Sequence, residues 1–265
     1  TGADSRWLGV KGEEDYKGGG ISSCATCDGF LFRDRPVAVV GGGDTAMEEA
    51  LVLARTSSNV TVIHRRDSFR ASKVLADAVL AHPKISVVWN ATVAEFRGGD
   101  AEAGGMLTTA VISSVVDGST TELAVDATFV AIGHIPNTDV VKGQLDMSDS
   151  GYLVTKTGST ATSVPGVFAA GDVADWVYRQ AVTSAGTGSQ AALDAERWLS
   201  ESMVMGEEED ANESSECYPE DYQSWSMKQI RKELKEIGVD TASECRGCNE
   251  KSQFIEVLCR HGGAR

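Results

Sequence analysis

Residues 36–50 read "PVAVVGGGDTAMEEA": a short apolar run, three glycines, then a stretch with helical spacing. The run 36–41 predicts a strand entering a glycine turn. The pattern from about Asp44 to Arg55, with Met47, Leu51 and Leu53 among its apolar positions, predicts a helix. Gly41, Gly43 and Ala46 fit G-x-G-x-x-A where strand gives way to helix, and Gly42, Asp44 and Thr45 complete the block. Glycines there let backbone amides approach a pyrophosphate, whose charge faces the positive end of the helix. The alternative is an ordinary glycine turn, and the flanking sequence has to separate the two.

Two further apolar runs, "NVTVIH" (59–64) and "ISVVW" (85–89), enclose an amphipathic stretch, "ASKVLADAVLAH" (71–82). This β-α-β-α-β alternation with short connections predicts an α/β fold, a Rossmann-like parallel sheet with helices on its faces. A site for NAD places a carboxylate at the end of the second strand, where it accepts from the ribose 2′-hydroxyl. Here that place holds His64, Arg65 and Arg66, with Arg70 in the same cluster, "HRRDSFR" (64–70). Guanidinium groups bind a 2′-phosphate through charge-assisted, often bidentate bonds, so the cluster points to NADP(H). A solvated basic turn is the plainer alternative; the position in the fold favours the phosphate.

Beyond the third strand the pattern changes. "MLTTAVISSVV" (106–116) and "TELAVDATFV" (121–130) alternate and are joined by "DGST", which predicts a hairpin within an inserted β-meander. "GYLVTK" (151–156) and "GVFAAGD" (166–172) read as strands, and residues 181–200 as a long helix. Residues 201–217 hold seven acids and no base, a solvated linker. Residues 218–262 form a small helical module. In it, Ser226 and Gln229 make a capping box, and Met227, Ile230, Leu234 and Ile237 an apolar stripe. Gly238 is the stop, and a second helix runs from about Asn249 to Arg260.

The net charge of −15 argues against nucleic acid, which requires clustered Lys and Arg. No apolar run approaches the roughly eighteen residues of a membrane span, and the first residues lack signal or transit character, so a soluble, cytoplasmic protein is expected, an organelle not being excluded. Of six cysteines, four stand in two CxxC pairs, Cys24/Cys27 in "CATCDG" and Cys245/Cys248. Such a pair is half a zinc site, a structural disulfide or a catalytic dithiol. The two pairs are far apart in sequence and lack histidines at ligand spacing, so no metal site is expected.

Taken in order, "CATCDG", "GGGDTAMEEA", "HRRDSFR", "AIGHIPNT" and "GVFAAGDVADWVYRQAVTSAGTGSQAALDAERWL" resemble the low-molecular-weight thioredoxin reductases, across residues 1 to about 200. The resemblance implies an FAD domain and an NADPH domain with the CxxC on the latter, in a homodimer whose domains swing between two orientations. It divides this chain into a partial FAD domain (1–8 and 130–200), an NADPH domain (9–129), the acidic linker (201–217) and the helical module (218–265). Gly171 and Asp172 are expected at the flavin's ribityl and phosphate region. Arg179, Gln180 and Ala181 are expected against its ring system, and Ile132 at the nucleotide.

By the same resemblance, electrons pass from NADPH to FAD to Cys24–Cys27 to thioredoxin. Cys27 is the flavin-side, charge-transfer thiol, Cys24 attacks the substrate and Asp28 protonates a departing thiolate or flavin-bound sulfur. The family opens with its own strand–GxGxxG–helix unit for the ADP half of FAD, whereas Thr1-Gly2 matches the tail of a later motif. The chain is therefore expected to be a fragment.

Residues 226–260 are similar to SAP-like helix–turn–helix modules that carry a CxxC between their helices. A structural disulfide or docking role for Cys245/Cys248 is preferred over an added redox relay, and Cys217 and Cys259 are read as incidental. The competing functions are reduction of another redoxin or a peroxiredoxin, and an FAD-free NADPH-binding scaffold. An NADH preference, as in related hydroperoxide-reductase flavoproteins, fits poorly with three arginines at the ribose.

Overall fold

The structure, a computed structural model, describes residues 1–100, 104–213, 224–240 and 250–260. Cys217, Cys245 and Cys248 lie outside these residues, as does the side chain of Cys259. The chain divides into two compact units, residues 1–154 with 170–184, and residues 155–169 with 185–265.

The first unit is built on a five-stranded parallel sheet. Its strands, in spatial order, are β2 (Ile21–Ser22), β9 (Ala127–Val130), β3 (Pro36–Val40), β4 (Asn59–Ile63) and β5 (Ile85–Val88). Helices α1 (Ala25–Asp28), α2 (Asp44–Leu53) and α3 (Lys73–Ala81) accompany it. Alternation along β3 divides the core between the two faces of the sheet. Val37 and Val39 pack with Val60, Val62 and the α2 residues Met47, Ala50 and Leu53. Ala38 and Val40 turn to the other side, against Val93, Phe96, Leu107 and Ile112. Those residues belong to an antiparallel sheet of β6 (Ala91–Gly98), β7 (Leu107–Ser114) and β8 (Thr120–Ala124). A separate antiparallel pair joins β1 (Ala3–Ser5) to β10 (His134–Pro136).

The three strands and two helices expected between residues 36 and 89 are present. Further along, the structure departs from expectation in three places. First, "TELAVDATFV" is two strands. Residues 120–124 close the meander, mostly exposed, whereas all four residues of β9 are buried and pair with β3. Burial on both faces marks a central parallel strand, and the chain breaks between the two at Asp126, whose amide donates to the Pro36 carbonyl.

Second, residues 151–156 and 166–172 form no ladder. Each makes one isolated bridge, Met147 to Leu153 and Ala161 to Phe168, among scattered turn hydrogen bonds. A single bridge satisfies too few backbone groups to propagate a strand.

Third, the long helix α4 spans Ala181–Glu213 and so runs through most of the expected linker. Its glutamates, methionines and alanines are strong helix formers, and their propensity outweighs the lack of an apolar stripe. Within the second unit, Asp194 of α4 accepts from the Ser159 hydroxyl (2.9 Å) and from the amide and hydroxyl of Thr160 (3.0 and 2.8 Å). These bonds hold its carboxyl below the usual range. The same unit contains α5 (Met227–Glu236) and α6 (Lys251–Arg260). The Ser226–Gln229 capping box opens α5, and Ile230 and Leu234 pack with Phe254, Ile255 and Leu258. Gly238 follows at φ +81°, a left-handed stop that favours glycine.

Candidate active site: a nucleotide cradle beside a disulfide

Two cavities on the first unit both take lining residues from α2. The larger, of about 410 Å³, is lined by Gly41, Gly42, Gly43, Thr45, His64, Arg65, Arg66, Arg70 and Ile132, among others. Its three glycines do different work. A Cβ on Gly41 would stand 2.4 Å from the Ala131 carbonyl oxygen and 2.7 Å from the Ala46 Cβ, so Gly41 and Ala46 let strand and helix close on each other. A Cβ on Gly42 would fall 2.1 Å from the His64 ring. A Cβ on Gly43 would meet nothing within 4 Å. Gly43 is the N-cap of α2 and offers no capping side chain, which leaves the first amides of the helix for an anion.

His64 and the arginines line one cavity but differ in burial. His64 is buried, with Nε2 3.0 Å from the Ser68 carbonyl oxygen and its ring 5.6 Å from Phe69 and 6.0 Å from Trp89. Burial pushes the imidazole pKa down, which favours the neutral ring, so His64 supports Gly42 from below. Arg65, Arg66 and Arg70 are exposed at the cavity. The amide of Arg70 donates to the Gly42 carbonyl (2.8 Å), which fixes the arginine loop to the glycine turn. Asp44 is a brace as well: its carboxylate accepts from the Ser72 amide at 2.6 Å.

The second cavity, of about 250 Å³, shares Thr45 with the first and holds Cys24, Cys27, Glu49, His134, Asp172, Arg179 and Gln180 among its lining. Cys24 and Cys27 are joined as a disulfide. Cys24 is the N-cap of α1, and its sulfur accepts from the Cys27 amide at 3.2 Å. Ser22 organises the turn: its hydroxyl accepts from the Cys24 amide (3.1 Å) and donates to Asp28 Oδ2 (2.6 Å). Both amide atoms of Gln180 lie 4.0 Å from a sulfur, Nε2 from Cys24 and Oε1 from Cys27. Cys27 is exposed and Cys24 half-buried.

The 171–180 loop is shaped by its own carboxylates. Asp175 accepts from the amides of Val177, Tyr178 and Arg179, and Asp172 accepts from the Ser184 hydroxyl at 2.9 Å. Ala181 begins α4. Burial and the nearby Arg179 push the His134 imidazole pKa down, with Asp172 opposing.

A family profile of pyridine nucleotide-disulphide oxidoreductases matches residues 1–190. The chain belongs to that family.

Among related oxidoreductases, a thioredoxin reductase of Streptomyces clavuligerus is 53% identical over 199 residues, covering 75% of this chain and 60% of that protein. A Pseudomonas fluorescens protein named glucosaminate ammonia-lyase is 55% identical over 206 residues, covering 75% of this chain and 62% of its own length. The solved thioredoxin reductase from Giardia duodenalis matches with a TM-score of 0.70 at 44% identity, over 76% of this chain and 64% of that one. The chain thus spans about three fifths of the length of these curated relatives.

One residue of the oxidoreductase site escapes sequence reasoning. Glu49 lies at the disulfide cavity, one turn along α2 from Thr45, and its Oε1 accepts from the Ala25 amide at 3.4 Å. Its Oε2 is buried without a hydrogen-bond partner among the described residues. Burial pushes the carboxyl up to about 7, against the pull of the Ala25 amide and Arg179. The only signal in the sequence is the i, i+4 spacing from Thr45, which Glu48 and Glu49 blur by standing side by side.

Proposed function

We propose that this chain carries the NADPH-binding and disulfide-exchanging part of a flavoprotein reductase that acts on thioredoxin. The observation that supports this best is the sharing of α2. The helix opens at a glycine cradle with three arginines and borders, through Thr45 and Glu49, a cavity that holds a disulfide. When bound, NADPH supplies a hydride and FAD passes two electrons on to the sulfurs.

The open Gly43 and uncapped α2 amides would take the pyrophosphate, and Arg65, Arg66 and Arg70 the 2′-phosphate. Gly171, Asp172, Arg179, Gln180 and Ala181 would meet the flavin; of these, Asp172, Arg179 and Gln180 already face the disulfide cavity. Once the S–S bond opens, the Cys27 amide is placed to donate to a Cys24 thiolate, which favours the attacking form of the thiol. Asp28, held by Ser22, would return the proton to the leaving sulfur. Relatives named as thioredoxin reductases favour thioredoxin over another redoxin as acceptor. The ammonia-lyase name of one relative has no counterpart in the chemistry of this cavity, where the reacting bond is a disulfide.

Steady-state kinetics of the flavin-loaded enzyme test the cofactor assignment. Arg66→Ala or Arg70→Ala is expected to raise KM for NADPH by roughly tenfold or more, since a charge-assisted bond contributes about 1.5–3 kcal/mol. NADH kinetics are expected to stay nearly unchanged. Equal losses with both nucleotides would show that the arginines hold the fold and read no phosphate.

A further inference from the structure

We propose that Glu49 positions the Cys24–Cys27 turn through its carboxyl and governs how much thiolate the opened pair carries. This rests on the pair being an exchanging dithiol. Ala25 and Cys27 sit in the same turn, α1. The Ala25 amide donates to Glu49 Oε1 at 3.4 Å, and the Cys27 amide donates to the Cys24 sulfur at 3.2 Å. Neighbouring amides of one short turn thus serve a carboxyl on the inside and a sulfur on the outside. The second carboxyl oxygen is buried without a partner among the described residues. An ionised Glu49 therefore lacks the solvation a carboxylate needs, and burial is the largest cause that raises its pKa.

Opening the disulfide breaks the S–S bond with two electrons. They come from the enzyme's own reductant or, in vitro, from a dithiol reagent that closes to its own disulfide. Each sulfur is then either a thiolate or a thiol protonated from solvent. A thiolate at Cys24 and a carboxylate at Glu49 are like charges on opposite sides of the same turn, so each disfavours the other. The two groups then titrate as a coupled pair, the first proton leaving readily and the second at higher pH.

Other ionisable groups share the cavity: Glu48 on α2, His134 on β10, and Asp172, Tyr178 and Arg179 on the 171–180 loop. Glu48 opposes a Glu49 carboxylate and Arg179 favours it. Asp28, at the end of α1, is bonded to Ser22.

Glu49→Gln keeps an oxygen for the Ala25 amide and removes the charge. The chain is reduced with dithiothreitol and freed of reagent, and alkylation by iodoacetamide is followed from pH 5.5 to 9 on the peptide that carries Cys24 and Cys27. Near pH 6 the variant and the wild type are expected to agree. At pH 8 the variant is expected to react roughly two- to fivefold faster, with one titration step where the wild type shows two. Superimposable profiles overturn the proposal.

A measurement on the wild type alone keeps the test open if the variant folds poorly. In protein with 13C-labelled glutamate carboxyls, one signal is expected to titrate near pH 7 in the disulfide form and higher after reduction. If no such signal titrates above pH 6 in the disulfide form, the proposal is wrong. Neither measurement uses NADPH, flavin or thioredoxin, so failure here is distinct from failure of the reductase assignment.

Discussion

Replacing Cys24 or Cys27 by serine is expected to lower thioredoxin reduction by roughly three orders of magnitude or more, while NADPH still bleaches the flavin of the loaded enzyme. On the proposed function the disulfide is the bond that opens and closes, and a serine hydroxyl neither forms it nor ionises near neutral pH. In the proposed electron path hydride transfer precedes thiol exchange and would depend on the cradle, which the sulfur atoms do not build. Stopped-flow absorbance reports the flavin, and thiol release from a disulfide acceptor reports exchange. Retained exchange in either serine variant would assign the chemistry to another pair of thiols.

The glycine turn yields the second large effect, because its positions fail in different ways. In Gly41→Ala the new Cβ meets the Ala131 carbonyl oxygen at 2.4 Å, a backbone atom inside the sheet that has no room to yield. Overpacking of this kind costs about 1–3 kcal/mol, and a distorted turn also spoils the cradle. Gly43→Ala meets nothing within 4 Å, so its melting temperature is expected to match the wild type. Its methyl group instead occupies the approach to the α2 amides, and KM for NADPH is expected to rise roughly tenfold. Thermal melts and kinetics on the two variants check both halves. Equal melting losses would mean that Gly43 is also a packing glycine.

These contrasts mark what is legible in the sequence. The strand–glycine–helix unit at 36–53 depends on local turn chemistry and short-range periodicity, so its residues declare themselves. The arginine cluster is equally local, and the structure places Arg65, Arg66 and Arg70 at the cavity beside the glycine turn.

Strand β9 is hidden. Residues 127–130 continue the alternation of the meander strand before them, and only tertiary pairing with β3 shows them to be central. Helix α4 outruns its expected end because propensity, not an apolar stripe, carries it beyond residue 200. His64 lines the same cavity as the arginines, but its place under Gly42 is set by how strand and turn stack and is not legible in the sequence. Glu49 is the clearest case: exposed Glu48 and half-buried Glu49 are identical in sequence terms, and only the approach of α1 sets them apart.

On the proposed function, electrons from NADPH arrive at Cys24 and Cys27. The direct measurement is the redox state of that peptide after the flavin-loaded enzyme receives one equivalent of NADPH without oxygen or acceptor. The thiols are trapped by rapid alkylation and weighed by mass spectrometry. Two alkyl groups on the peptide carrying Cys24 and Cys27, absent without NADPH and scarce with an equal amount of NADH, are the predicted result. NADPH consumed while this disulfide stays closed would contradict that electron path.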